Sequence, residues 1–394
     1  MADFDAYLMV DWSASSRPAK GADSVWYCLL NRSAAGLSVS ALENPATRSS
    51  AVQNIKEILR DLVRQGQQVL VGFDFSYGYP SGFASALGVG GTSDWLAVWL
   101  ELARAIVDRG DNSNNRFEVA ADFNRRISGE CYPFWGCPQG SSSSTISSTK
   151  GPRGPLAEKR ITDVGNMQPI WKLFGNGSVG SQTLLGIPHL TALRNDPELA
   201  ALSRVWPFET GLRRLPNRDN RNWLILHAEI YPSLLEVHPR PGEVKDAAQV
   251  RELAVHFAAL DDAGLLADLF GGSPLLTATE RQIVEREEGW TLGVGGNAEA
   301  QKARKLDSLH AAPSKAVPRA AARPPGKVAS RTTQPGYENR NRQVVVRSTG
   351  SAGTDHGQYV YLLRCGECGH EYGANGSDLF QRRCPLCQRG RPGL

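Results

Sequence analysis

Two short runs decide how this 394-residue chain folds: AYLMVDW at residues 6–12 and QVLVGFD at residues 68–74. Each is an apolar run of strand length that meets an aspartate at its C-terminal end, Asp11 in the first and Asp74 in the second. Between them, SVWYCLL (24–30) and LSVSALE (37–43) read as two more strands joined by the turn at 31–36, so the first three strands form a meander. SSAVQNIKEILRDLVRQG (49–66) then spaces Val52, Ile55, Ile58, Leu59 and Leu62 along one helical face and stops at Gly66. The run at 68–74 is apolar throughout, as a strand covered on both faces beside a parallel neighbour requires. Further along, WLAVWLELARAIVDRG (95–110) reads as a helix and NWLILHAEIYPSLL (222–235) as another buried strand. DAAQVRELAVHFAALDDAGLLADLF (246–270) is helical, with Val250, Leu253, Ala254 and Phe257 facing inward.

The order β, β, β, α, β, α, followed by a later strand and helix, predicts an α/β fold built on a mixed sheet with flanking helices. It is the order of a ribonuclease H-like fold and equally of one half of an actin-like or sugar-kinase-like ATPase. In the first topology Asp11 and Asp74 end neighbouring strands at the sheet centre, and their carboxylates converge. Two such groups repel unless a proton or cation lies between them, and with a third they make an oxygen site for Mg²⁺ or Mn²⁺. Strand-end turn formation is the competing role for each aspartate. Glu229 in HAEIYP and Asp246 at the start of the next helix are the candidates for the third ligand. Glu229 lies among apolar neighbours and requires a cation or a donor, whereas Asp246 can equally be an N-cap. Lys245 is placed to pair a carboxylate or touch a phosphate. His227, alternating on an apolar strand, reads as a core histidine.

VDWSASSRPAKGADSVWY, VGFDFSYGYPSGFA, HAEIYPSLLEV, EVKDAAQVRELAVHFAALDDAG and EEGWTLGV, in this order over most of residues 5–294, resemble a family of largely uncharacterised bacterial proteins described as ribonuclease H-like nucleases. The resemblance implies that fold for residues 1–296, with Asp11 and Asp74 in a catalytic metal site and Glu229 and Asp246 beside them. A long insertion, at about 76–221, departs from a simple nuclease. In it, ADFNRRISGECYPFWGCP (121–138) sets Asn124, Arg125 and Arg126 near aromatics, a pairing suited to phosphate and base contact, with Arg125 the candidate substrate-binding residue. Cys131 and Cys137 read as packing with Phe134 and Trp135. QGSSSSTISSTKGPRGP (139–155) reads as a mobile loop. PIWKLFGNGSVGSQTLLGIP (169–188) gathers Gly175, Gly177, Gly180, Ser178, Ser181 and Thr183, whose amides can cradle an anion, although tight turns packing on Trp171 give the same pattern.

The C-terminal region differs in charge. Residues 295–334 carry eight Lys/Arg against two acids and residues 335–394 eight Arg against five, so a chain of net charge +4 has a body of about −5. Residues 297–334, rich in Ala, Pro, Lys and Arg, read as a flexible basic linker. Beyond it, Cys365 and Cys368, then Cys384 and Cys387, form CxxC, fifteen residues, CxxC. That spacing predicts a small zinc-ribbon domain over 335–394 with a closed, structural Cys₄ Zn²⁺ site. Arg364, Arg382, Arg383, Arg389 and Arg391 among Tyr361, Tyr372 and Phe380 fit backbone contact and base stacking on nucleic acid; ribbons also serve as protein adaptors. A strand is expected at 344–347, with Tyr337, Asn339, Asn341, Asp355 and His356 completing the module's face.

MADFDAYLMVDW has no basic stretch and carries Asp3, Asp5 and Asp11, which argues against a secretory signal, and no apolar run is long enough to span a bilayer. A cytoplasmic protein is the expectation. The sequence thus predicts a metal-dependent nuclease hydrolysing phosphodiesters, with Asp11, Asp74, Asp246 and Glu229 as catalytic carboxylates. Arg125 and Lys245 would contact substrate, and Arg382 and Arg383 on the ribbon would bring the enzyme to DNA or RNA. An actin-like ATP-dependent phosphotransferase, with DWSASSRP and the 175–183 loop on the phosphates, and a non-catalytic nucleic-acid-binding scaffold are the alternatives.

Overall fold

The computed structural model of the chain describes residues 2–165, 167–175, 178–295, 331–352, 359–376 and 378–390. The expected linker lies, apart from 331–334, outside the described residues, as do Asp355 and His356. The chain falls into two compact units, Met1–Ala312 and Pro313–Leu394.

The first unit is built on β1 (Ala6–Asp11), β2 (Trp26–Ser33), β3 (Gly36–Glu43), β4 (Val69–Phe73), β5 (Ser203–Val205) and β6 (Ile225–Glu229). Its helices are α1 (Arg48–Arg64), α2 (Phe83–Ala86), α3 (Asp94–Ala105), α4 (Arg116–Ile127), α5 (Gly180–Arg194), α6 (Lys245–Asp262), α7 (Leu266–Leu269) and α8 (Ala278–Ile283). The six strands form one mixed sheet in the order β3-β2-β1-β4-β6-β5. β1, β2 and β3 are the antiparallel meander, and β1, β4, β6 and β5 run parallel. Every residue of β4 is buried, which is why its sequence shows no alternation.

Alternation does sort the two faces of β1. Ala6, Leu8 and Val10 enter a core shared with Ile55 and Leu59 of α1, Trp99 of α3, Phe123 of α4 and Leu184 of α5. Tyr7 and Met9 enter the opposite core with Val250, Leu253, Ala254 and Phe257 of α6, the four positions expected to face inward. α1 starts where Thr47 accepts from the Ser50 amide, satisfying one of the free N–H groups of the first turn. The insertion between β4 and β6 supplies α2–α5 and the edge strand β5. The loop expected to be mobile at 139–155 is anchored in its middle: Ile146 is fully buried and Thr145 Oγ1 donates to the Ala121 carbonyl at 2.9 Å.

The second unit has three antiparallel strands in the order β7 (Gln343–Ala352), β8 (Tyr359–Cys365) and β9 (Glu371–Asn375), β7 containing the strand expected at 344–347. Val345, Leu363, Tyr372, Ala374 and Leu379 pack with Cys365 and Cys384 into a core too small to fold an isolated module without a staple.

Candidate functional site: carboxylates at the strand ends

β1 and β4 pair in parallel with Val10 beside Phe73, so Asp11 and Asp74 leave neighbouring strands at the same level. The Asp74 amide donates to the Val10 carbonyl at 3.2 Å, and the Trp12 amide donates to Asp74 Oδ1 at 2.6 Å. The two carboxyl groups are hydrogen-bonded to each other, an arrangement that requires a proton between them. Burial, then the Asp74, Asp246 and Asp23 charges, hold Asp11 well above the ordinary carboxylate range. Burial also raises Asp74, to about 7, with the Trp12 N–H and the bond to Asp11 working in the other direction. Both shifts favour a proton held between the two groups, a place that a cation can also take.

Asp246 lies in the first turn of α6 and does not cap it; the N-cap is Val244. Its Oδ2 instead accepts from the Asp23 amide at 2.8 Å. Burial raises Asp246, the Asp23 N–H and the Lys245 charge act to lower it, and the Asp23 carboxylate raises it further. Asp23, which sequence reading did not single out, has φ of 56° and is held by Ser13 Oγ donating to its carbonyl at 2.9 Å. Aspartate adopts this left-handed conformation more readily than most residues, and here the turn brings its amide to Asp246. The site is thus an intimate Asp11–Asp74 pair with Asp246 and Asp23 adding negative potential, and Lys245 is exposed beside it.

Glu229 is placed differently. It ends β6 opposite Phe73, but its Oε1 accepts from Arg160 Nη2 (2.6 Å) and Thr291 Oγ1 (2.7 Å), and its Oε2 from Arg160 Nη1 (2.7 Å) and the Tyr77 amide (2.9 Å). Four donors fill the lone-pair sites of a carboxylate, so Glu229 has none left for a metal ion. The expectation that it joins Asp11 and Asp74 is corrected on this ground. Arg160 also donates to Asp163 at 2.9 Å, making a buried triad. Around it Glu288 accepts from the Ser81 and Ile161 amides, and Glu287 from those of Gly82 and Ala84. Gly78 is required here, because a Cβ would lie 2.2 Å from the Glu287 carbonyl oxygen.

Other candidates disperse. Arg125 is exposed on α4 and paired with Asp122 one turn back. Asn124 is fully buried and works as a structural clamp, donating to the Phe134 and Thr145 carbonyls and accepting from the Phe134 amide. Cys137 is buried with Phe134. His227 is fully buried in β6, neither ring nitrogen has a hydrogen-bond partner, and burial followed by the Arg194 charge lowers it to about 3.

In the second unit Cys365 and Cys384 are buried and Cys368 and Cys387 exposed, with all four sulfurs within 4.8 Å of one another. Cys365 and Cys387 are 3.6 Å apart, as are Cys368 and Cys384. Four sulfurs around tetrahedral zinc would be about 3.8 Å apart, so the cysteines are positioned to hold a metal ion such as zinc. Burial opposes ionisation of Cys365, but N–H groups of Cys368, Gln343 and Glu367 outweigh it and lower the thiol to about 6. Among the described residues this is the one group of three or more Cys, His, Asp or Glu that brings its ligand atoms so close. Arg383 is exposed, whereas Arg382 is largely buried, 3.6 Å from Asp378 and over the Tyr372 ring. Asn339 is likewise internal, its amide donating to the Leu379 and Arg382 carbonyls. No helix among the described residues is long and apolar enough to cross a membrane.

Comparison of the chain with protein-family models, with curated proteins and with solved structures returns no match.

Proposed function

We propose that the first unit is a divalent-cation-dependent nuclease and that the second carries structural zinc and attracts nucleic acid. The observation that carries the reading is the Asp11–Asp74 pair, two carboxylates in contact with no cationic side chain bonded to either among the described residues. Such a pair costs stability unless a proton or a cation is held there. The strand order supports the reading as well: an antiparallel meander followed by parallel strands agrees with a ribonuclease H-like core, and the described residues contain one such sheet rather than the two of an actin-like ATPase.

Asp11 and Asp74 would hold the cation, with Asp246 and Asp23 strengthening the negative potential that retains it. A bound divalent cation supplies charge neutralisation for a phosphodiester and activates water for in-line attack. Lys245, exposed next to Asp246, offers a positive charge to the phosphate. The acidic body repels a polyanion at long range, so the basic residues beyond 295 would supply attraction, with a salt-dependent affinity.

The test incubates zinc-loaded protein and its Asp11→Asn variant with end-labelled single-stranded, duplex, hybrid and branched DNA and RNA, with Mn²⁺ or with EDTA. The reading requires Mn²⁺-dependent cleavage that the variant loses. Absence of cleavage on every substrate by folded protein, together with thermal protection of the first unit by ATP, would replace it with the phosphotransferase reading.

A further inference from the structure

The loop after β1, residues 12–17, is tied to the start of α5. Gln182 Nε2 donates to the Trp12 carbonyl at 2.5 Å, and Arg116 bridges the two segments, Nε donating to Ser181 Oγ and Nη1 to Ser16 Oγ, both at 2.9 Å. Gly180 lets the start of α5 pack against the segment before it, because a Cβ there would lie 2.1 Å from the Ile170 carbonyl oxygen. Nη1 also donates to Asn114 Oδ1 at 2.8 Å. All these acceptors are neutral.

Arg116 is 7% exposed. Among the described residues no carboxylate lies within ion-pairing distance of it, and its Nη2 makes no hydrogen bond. Every other cationic feature nearby worsens its position. The first turn of α5, a 15-residue helix, has no acidic residue and no capping side chain, so its positive end faces a cation. Arg48, also fully buried, is neutralised by Asp108 through bonds of 2.6 Å, and Asp108 is shared with His189. Burial and then the Arg48 charge lower Arg116 to about 10, offset in part by Asp108 and Glu118. Thr183, in the same first turn, is fully buried with an unpartnered Oγ1. A buried guanidinium at a helix N-terminus without a counter-ion is stable when an anion completes it. Exposed Ser16 over Nη1 gives the opening from solvent.

We propose that Arg116, Ser16 and the first turn of α5 form a binding site for a phosphate group carried by the substrate. The site lies at the other end of the loop that begins at Asp11. Five residues span at most about 17 Å, so a strand with one phosphate at the carboxylates would place another at Arg116 within about five nucleotides. The identity of the carrier rests on the nuclease reading; the phosphate chemistry does not. With Nε and Nη1 already engaged, Nη2 is the donor left for a phosphate oxygen, and a lysine ammonium could not reach that oxygen while also replacing the bonds to Ser181 and Asn114.

The experiment titrates the full-length, zinc-loaded protein, without added divalent ions, with inorganic phosphate, ATP and a short oligonucleotide, following heat or ³¹P line width. Phosphate should bind, with at least tenfold loss in Arg116→Gln, a comparable loss in Arg116→Lys, and a smaller loss in Ser16→Ala, whose exposed position leaves the fold intact. Unchanged affinity in Arg116→Lys and Ser16→Ala, or no phosphate binding by wild type, overturns the site. Preference for the oligonucleotide over ATP assigns the phosphate to a nucleic-acid backbone, and the reverse preference assigns it to a nucleotide; both sustain the site. Phosphate binding without Mn²⁺-dependent cleavage removes the nuclease reading alone, and cleavage without phosphate binding removes this site alone.

Discussion

Asp74 and Glu229 follow or end adjacent parallel strands, β4 and β6, and both are acidic residues in apolar surroundings, yet their environments are opposite. Glu229 is met by four donors, two of them from the Arg160 guanidinium, and Asp163 shares that cation. Asp74 is met by one amide and by another carboxyl. The first environment neutralises its charge internally and knits the insertion to the sheet. The second leaves a negative site that protons or cations must satisfy. Position at the strand ends therefore does not set a carboxylate's environment; the presence or absence of a bonded counter-charge does. The four cysteines of the second unit belong with Asp74 in this respect, since their sulfurs are gathered within 4.8 Å of one another, where a metal ion could hold them.

The largest effect should come from the cysteines. Chelation of zinc, or Cys384→Ser, is expected to abolish the folded state of the second unit while the first unit's melting transition stays in place, as read by calorimetry. Retention of both transitions in chelator would show that the small core suffices without metal.

Breaking the compensated cluster comes next. Arg160→Met strands Glu229 and Asp163 in the interior and should cost about 3–5 kcal/mol in denaturant unfolding. A cost below about 1 kcal/mol would mean that the triad is not the neutral, structural member of the comparison.

The uncompensated pair should respond in the other direction. Asp74 is raised in the folded state, so its proton favours folding fully below the unfolded value near 4, and that contribution is lost as pH rises through about 7; Asp11, also raised, acts in the same sense. Metal-free protein should lose stability across that window, Asp74→Asn should remove the loss, and the gain at high pH is on the order of a few kcal/mol. A pH-independent difference between variant and wild type would contradict the assignment.

His227 should give the smallest change, with the opposite pH sense. Lowered to about 3, it stabilises the fold above the unfolded value near 6.5, and the contribution is lost as pH falls toward 3. His227→Leu should move the acid-unfolding midpoint to lower pH and add about 1 kcal/mol at neutral pH by removing two unpartnered nitrogens. An unchanged midpoint would show that the ring finds partners.

Where the signal was periodic, the sequence was legible. The runs at 6–12, 49–66 and 68–74 became β1, α1 and β4 with ends shifted by one or two residues, because burial on one or both faces leaves a pattern along the chain; the run at 37–43 became β3 although none of its residues is buried. β5 was invisible, since three residues carry no period. Asp11 and Asp74 were legible as a pair because strand order brings their ends together. The neutralisation of Glu229 was not, because Arg160 lies 69 residues away in an irregular segment. Arg116 was missed for a similar reason: its significance is a carboxylate that is not there, and no spacing in a sequence records that. The role of Asp246 had two readings, and they separate only when Val244 is seen as the N-cap and the Asp23 amide as its partner.

The most direct test of the central claim measures Mn²⁺ binding to the zinc-loaded protein by electron paramagnetic resonance at pH 5 and pH 8, in wild type, Asp74→Asn and Glu229→Gln. Wild type should bind Mn²⁺ at pH 8 and release it at pH 5, where the Asp11–Asp74 pair holds its proton, with binding lost in Asp74→Asn and kept in folded Glu229→Gln. Equal binding by wild type and Asp74→Asn, or loss in Glu229→Gln alone, would contradict that claim.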